Sequence, residues 1–290
     1  MKTFAAINVG SYEQSLKIYT ITKNSGIREV DWIRNRLDLG GTFATGKLSH
    51  EVMDELCAVL RNFVSIMEGY RVDDYRACAT SAIRETKNTA IVLDQIMQRT
   101  GVKLDVLSNS EQRFLDYKSI ASRGGFEKII EKGTLVLDIG GGSIQMSLFD
   151  KDKLSATQNM RLGVLRLQEK MSRLNVRPSE NGPLLEELLE AQLSVFRKMY
   201  LKDRVIENII VVDDYISALI LGKLGKVAGS GYLDRDSMAS YMNYLHDHTD
   251  MEIVRYFDTP EENVPLLRIS SAIVRQVALM TDAKMIWAPG

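Results

Sequence analysis

Six residues near the middle of the chain, Asp138-Ile139-Gly140-Gly141-Gly142-Ser143, combine a carboxylate, three adjacent glycines and a hydroxyl. Glycine has no Cβ, so consecutive backbone N–H groups can converge on an anion, and Ser143 adds a donor at the edge of the same concavity. The Asp138 carboxylate could hold a divalent cation or a water beside that anion. Phosphate is the natural guest; the alternative is a glycine-rich hairpin shaped only by packing. The same grammar occurs in Ala5-Ala6-Ile7-Asn8-Val9-Gly10-Ser11, an apolar run with Asn in place of Asp, closed by Gly-Ser. Asn8 and Asp138 lie 130 positions apart, and the repetition suggests two similar lobes that each offer a phosphate loop to a shared cleft. Between them, Thr80-Ser81-Ala82-Ile83-Arg84-Glu85 places a hydroxyl pair ahead of an arginine. Arg84 could clamp a phosphoryl group with two parallel hydrogen bonds, or simply pair with an acid at the surface.

The elements that must position these residues follow from periodicity. Residues 3–9 and 15–22 read as the first hairpin, Asn24-Ser25-Gly26 as its exit turn, and 27–35 as a third strand. Ser49 caps a long amphipathic helix whose apolar positions Val52, Met53, Leu56, Val59, Leu60, Phe63 and Ile66 recur at three and four. Residues 75–79 form a short strand, 89–100 a helix ended by Gly101, and 102–107 another strand. Residues 121–132, with Gly124-Gly125, read as the crossing between lobes. Residues 134–137 and 144–148 are the strands of the second hairpin, and 150–153 a polar turn. A helical stretch at 178–200, a buried strand at 209–212, a helix at 264–280 and a last strand at 284–287 complete the pattern.

Taken together, these stretches resemble the exopolyphosphatase/guanosine pentaphosphate phosphohydrolase family of the acetate and sugar kinase/Hsp70/actin superfamily. The resemblance is carried by the two loops, by Ala79-Thr80-Ser81-Ala82-Ile83-Arg84-Glu85 with Asn88, by Leu107-Ser108-Asn109-Ser110-Glu111-Gln112-Arg113, and by Leu162-Gly163-Val164-Leu165-Arg166-Leu167, over residues 1 to about 170. It implies an α/β fold of two actin-like (ribonuclease H-like) lobes, with mixed β-sheets flanked by helices and a cleft between them. The lobes are expected at 1–122 and 123–290, with further chain following in the family. It implies phosphate binding by Gly10, Ser11, Gly140, Gly141, Gly142, Ser143 and Arg84, a Mg²⁺ cofactor placed by Asp138 and Asn8, and a catalytic group of Glu111, Gln112 and Arg84. Arg166 is a second phosphate candidate, or a cover for a helix stem.

Several positions depart from the family pattern. Gln112 stands where the resemblance implies the acid that activates water, and an amide cannot accept a proton; Glu111 is then the one remaining base, or an N-terminal helix acid facing the macrodipole. Asn8 replaces Asp, Ile144-Gln145 replaces Thr-Glu, and Asp213-Asp214-Tyr215-Ile216-Ser217 replaces a Gly-rich turn. Glu13 beside the first loop would repel a phosphate unless a cation bridged them.

The chain has 290 residues, 45% hydrophobic and 26% charged, with a formal net charge of −1. That is the balance of a globular protein with a sizeable core, and it disfavours a basic surface that tracks nucleic acid. Cys57 and Cys78 make neither a disulfide framework nor a zinc site. No apolar run approaches the roughly 18 residues a membrane span needs, and Met1-Lys2-Thr3-Phe4 passes into a strand without a signal-peptide core. The expected location is the cytoplasm, without a nucleic-acid or membrane partner. His246-Asp247-His248 reads as polar residues facing solvent rather than a metal site, since histidines two apart do not share a helix face. The expected activity is release of terminal phosphate from polyphosphate or guanosine pentaphosphate, and the resemblance adds a homodimer. The alternative is a catalytically impaired polyphosphate- or nucleotide-binding module of the same fold, with a kinase as a third, weaker option.

Overall fold

Residues 1–23, 26–122, 125–174, 181–213 and 232–289 are described by the computed structural model. The expected turn at Asn24-Ser25, Gly124 of the crossing, positions 178–180 of the expected helix and Asp214-Tyr215-Ile216-Ser217 lie outside them. The chain divides into two compact units, Met1–Gln112 and Arg113–Gly290.

Unit 1 opens with the meander β1 (Lys2–Val9), β2 (Glu13–Thr22) and β3 (Gly26–Arg36), followed by α1 (Gly41–Thr45), α2 (His50–Gly69), β4 (Asp74–Ala79), α3 (Ser81–Arg84), α4 (Thr89–Thr100) and β5 (Leu104–Val106). Its sheet runs β3-β2-β1-β4-β5, antiparallel within the meander and parallel across β1, β4 and β5. Alternation decides which face is buried. Ala5, Ile7, Val9, Leu16 and Ile18 pack against Leu56, Leu60 and Phe63 of α2 and Val92 and Ile96 of α4. Ser49 caps α2 as its sequence predicts, accepting the Val52 N–H at 3.3 Å.

The helix α5 (Asn109–Ser122) begins in unit 1 and ends in unit 2, which continues with α6 (Phe126–Ile130), β6 (Thr134–Ile139), β7 (Ile144–Asp150), β8 (Lys153–Met160), α7 (Val164–Arg173), α8 (Asn181–Phe196), β9 (Asn208–Val212), β10 (Tyr232–Asp234), α9 (Arg235–Asp247), α10 (Asp250–Phe257), α11 (Val264–Leu279) and β11 (Met285–Trp287). The sheet order is β10-β11-β9-β6-β7-β8. Strands β6, β7 and β8 form an antiparallel meander, while β9 runs parallel to β6 and β11 parallel to β9. The plan of unit 1 is thus repeated, with β10 added antiparallel at the outer edge. The duplication inferred from the two hairpin motifs is a duplication of the whole sheet.

Thr134-Leu135-Val136-Leu137 in β6 is buried on both faces, as strands covered on both sides require. On one face Val136, Phe149 and Ile210 meet Ile120 of α5 and Phe126 and Ile130 of α6. Phe149 takes the edges of Tyr117 and Phe126 at centroid distances of 5.2 and 5.6 Å. Strand β8 was not legible as a strand, because its polar run Ser155, Thr157, Gln158 and Asn159 lacks apolar alternation; pairing with β7 holds it in the sheet. Helices α9 and α10 were likewise not anticipated, although Thr249 and Glu252 form a reciprocal capping box at the start of α10. The described helix in the 178–200 stretch ends at Phe196 and passes into a π-helical turn, Arg197–Leu201.

Candidate functional site

The first loop joins β1 to β2. Gly10 donates its N–H to Glu13 O at 2.9 Å, and a Cβ there would stand 2.7 Å from the same oxygen, so the closure requires glycine. The loop carbonyls are turned away from the tip: Ser11 O accepts Leu39 N–H at 2.8 Å and Tyr12 O accepts Leu37 N–H at 3.1 Å. Gln14, fully buried, donates its amide to Leu37 O and Gly10 O. The Ser11 hydroxyl is buried against Ser81 Oγ at 3.0 Å. Asn8 is exposed on β1. Glu13 does not stand as a bare charge at the loop, because Arg34 on β3 pairs with it at 2.6 Å.

Arg84 closes α3, half-buried, and donates to Leu107 O at 2.7 Å and to Gln112 Oε1 at 3.4 Å. Arg84 and Gln112, both expected in the catalytic group, are therefore in contact. Glu111 has a different job. Its carboxylate accepts the Ser108 N–H at 2.9 Å while its own N–H donates to Ser108 Oγ at 3.2 Å, a reciprocal cap on α5. The Ser108 backbone N–H and then its hydroxyl hold the Glu111 carboxyl below the usual glutamate range, a poor condition for accepting a proton from water.

In unit 2 the second loop spans Gly140 to Ser143, closed by Gly140 N–H to Ser143 O at 2.9 Å. The first turn of α7 takes its carbonyls. Val164 N–H donates to Gly140 O at 3.0 Å, Leu165 and Arg166 N–H to Gly141 O at 3.0 and 3.2 Å, and Arg166 Nε to Gly142 O at 2.8 Å. Among the described residues the N–H groups of Gly141 and Gly142 have no internal acceptor. With the three glycine carbonyls drawn to one side, those N–H groups form the donor concavity that an oxyanion needs. Gly163 makes this docking possible, since a Cβ on it would overlap backbone atoms of Gly141, Gly142 and Ser143. Arg166 thus braces the loop from behind. Ser143 Oγ is buried and accepts Asn159 Nδ2 of β8 at 3.3 Å.

Beside this loop lies a feature that motif reading missed. Asp138, near the end of β6, faces Gln145 across the β6–β7 ladder, and Gln145 faces Asn159 on β8. Onto this polar face α5 brings Arg113, which donates to Thr157 Oγ1 at 2.8 Å, and Asp116, hydrogen-bonded to Asp138. Two carboxyls in contact must share a proton or a cation. Burial pushes the Asp116 carboxyl up to about 6, against the counter-pull of the hydrogen bond from Asp138. Among the described residues Asp116 Oδ2 and both amide atoms of Gln145 are sealed from solvent with no internal partner, and each such orphan costs roughly 1–3 kcal/mol. Two carboxylates and an amide oxygen are hard donors that suit Mg²⁺. Among the described residues no group of three or more His, Cys, Asp or Glu side chains gathers anywhere, so a cation here would rest on two carboxylates and an amide. The available signal was Asp116 standing one helical turn after Gln112.

The remaining candidates are structurally occupied. Asp213 is buried and accepts the Ser270 hydroxyl of α11. His248 stacks on Tyr244 at 3.7 Å and bonds its carbonyl, and His246 meets Asp247 at 2.9 Å on the surface. No helix among the described residues is long and apolar enough to cross a membrane.

Two repeated mixed sheets, each with a backbone-donor loop at its central hairpin, define an actin-like α/β protein. A sequence model of the Ppx/GppA phosphatase family matches residues 23–248, and the chain belongs to that family. The chain has the fold of an exopolyphosphatase from Cytophaga hutchinsonii, with a TM-score of 0.85 at 17% identity over 99% of this chain and 94% of that one. It likewise matches the Ppx/GppA family member of Aquifex aeolicus, with a TM-score of 0.76 at 19% identity over 99% and 93%. In sequence it is 27% identical to exopolyphosphatase 1 of Mycobacterium leprae over 53% of this chain and 44% of that protein. It is 25% identical to the guanosine-5'-triphosphate,3'-diphosphate pyrophosphatase of Photobacterium profundum over 61% and 35%. The chain spans less than half the length of these curated relatives in those matches.

Proposed function

We propose that the chain hydrolyses the terminal phosphoanhydride of polyphosphate or guanosine pentaphosphate by metal-assisted attack of water. The observation that supports this reading is the second loop, whose three glycine carbonyls are drawn toward α7 while the Gly141 and Gly142 N–H groups keep no internal acceptor among the described residues. A phosphoryl oxygen is the partner those donors suit, and they bind best where negative charge develops during transfer. The Ser143 hydroxyl orients the same group. Asp138 would hold Mg²⁺, which when bound offsets phosphate charge and acidifies water. Arg84, steadied by Leu107 O and Gln112, presents a planar guanidinium suited to a phosphoryl group.

A second reading, a binding module without turnover, draws on Glu111 being engaged in its helix cap and on Gln112 being unable to accept a proton. Phosphate release from polyphosphate and guanosine pentaphosphate with Mg²⁺ decides between them, in wild type, Glu111→Gln and Gln112→Glu. Wild-type turnover supports hydrolysis, and its loss in Glu111→Gln identifies that carboxylate as the base. Ligand-dependent stabilisation without wild-type turnover, and activity gained in Gln112→Glu, supports the binding module.

A further inference from the structure

We propose that Asp116 supplies the carboxylate that position 145 lacks, so that Asp116, Asp138 and the Gln145 amide oxygen together form a divalent-cation site in unit 2. The inference rests on the phosphoryl-transfer reading of the loop beside Asp138, and it assigns a residue that the sequence motifs leave out.

Three observations converge on the same few atoms. The β6–β7 register sets Gln145 directly opposite Asp138, on the same face of the sheet. Gln145 is only 3% exposed, and neither its amide oxygen nor its amide nitrogen finds a partner among the described residues. From the covering helix, Asp116 contacts Asp138 while its Oδ2 is also sealed and has no partner among the described residues. A helix position one turn beyond Gln112 thereby points at the sheet position where the charge is missing. The placement is not loose, because the same stretch of α5 is pinned on both sides. Arg113 bonds Thr157, and Tyr117 packs its ring on Phe149.

The donor set selects the guest. Two carboxylates and one amide oxygen are all hard ligands, which suits Mg²⁺ or Mn²⁺ and offers nothing to a soft metal. Mg²⁺ keeps several waters, so two or three protein ligands are an ordinary complement. Waters held by a bound cation would donate to Asp116 Oδ2, and the cation itself would take the Gln145 amide oxygen. Relocating one carboxylate from strand to helix keeps the local charge at the value a divalent ion needs, while Gln145 remains as a neutral ligand.

The experiment is Mn²⁺ binding to the full chain without substrate, by electron paramagnetic resonance of the free ion, with Mg²⁺ competition. The variants are Asp116→Asn, Gln145→Glu and the double substitution. Wild type should bind one Mn²⁺, Asp116→Asn should weaken it at least tenfold, and Gln145→Glu in the Asp116→Asn background should recover most of the loss. No wild-type binding at millimolar Mn²⁺, or equal affinity in Asp116→Asn, overturns the site and leaves the carboxyl pair sharing a proton or a water. If Asp116→Asn does not fold, Gln145→Glu alone decides: a third carboxylate must tighten Mn²⁺, and unchanged affinity overturns the assignment. Mn²⁺ binding that depends on Asp116 without any phosphate release would count against hydrolysis while keeping the site.

Discussion

Replacing Asp116 by Asn should stabilise the metal-free protein, by an amount that pH controls. Burial raises the Asp116 carboxyl to about 6 from an ordinary 3.8. Two units of difference correspond to about 3 kcal/mol of disfavoured ionisation, and sharing of the proton with Asp138 brings the working range to about 1–3 kcal/mol. The folded state binds the proton more tightly than the unfolded state, so wild type is relatively most stable below pH 4. It loses that stability as pH rises from about 4 through 6, and the loss is complete above. Asn keeps the shape, donates its amide to Asp138 and does not ionise. The gain of the variant over wild type should therefore be near zero at pH 4 and reach its full value by pH 7.5. Urea unfolding followed by far-ultraviolet circular dichroism, in EDTA at four pH values between these limits, measures it. A gain independent of pH, or a variant less stable than wild type at pH 7.5, refutes the reasoning. With saturating Mg²⁺ the order should invert, because the cation stabilises only a folded protein that can bind it.

Gly163→Ala should displace the second loop, since the new Cβ overlaps the backbone of Gly141, Gly142 and Ser143. The expected cost is about 1–3 kcal/mol of stability, with loss of the thermal shift that polyphosphate gives wild type. Arg84→Met leaves the half-buried Leu107 carbonyl without its donor and should cost about 1–3 kcal/mol; unchanged urea midpoints would refute the anchoring role. Glu111→Gln should lower the melting temperature slightly at pH 7. Because the folded protein holds Glu111 below the usual glutamate range, that difference should disappear as pH falls through the carboxyl's titration.

The loops were legible because glycine and serine at a hairpin tip constrain the backbone locally: Gly10 and Gly140 close their turns with a single hydrogen bond each. The long helix and the apolar strands were legible by period. Glu111 was legible only as a choice between base and helix-dipole acid, and what it makes is a cap with Ser108, three residues away. Asp116 carried no motif, and its position one helical turn after Gln112 was its one signal. It meets Asp138 twenty-two positions later, through the way α5 lies on the sheet, and no spacing rule reports how a helix is rotated on the strands it covers. Strand β8 failed for a related reason. Its Thr157 and Asn159 are polar yet face inward, because Arg113 and Ser143 wait for them there, so the alternation that marks a strand is disguised by a buried polar network.

The two copies of the hairpin now differ in what holds them, and that difference explains how one could change its chemistry without losing its shape. In unit 1 the loop carbonyls are tied by the strand exit at Leu37 and Leu39 and by the buried Gln14 amide, none of which involves Asn8. The carboxylate expected at Asn8 could therefore be lost with the loop's backbone intact. In unit 2 the loop is clamped by α7, and Asp138 remains in contact with a second carboxyl. Substitution of Asp138 by Ala would remove the hydrogen bond that eases ionisation of the buried Asp116, leaving its carboxyl governed by burial and pushed further up. The two aspartates are thus coupled, and a change at either one resets the protonation of the other.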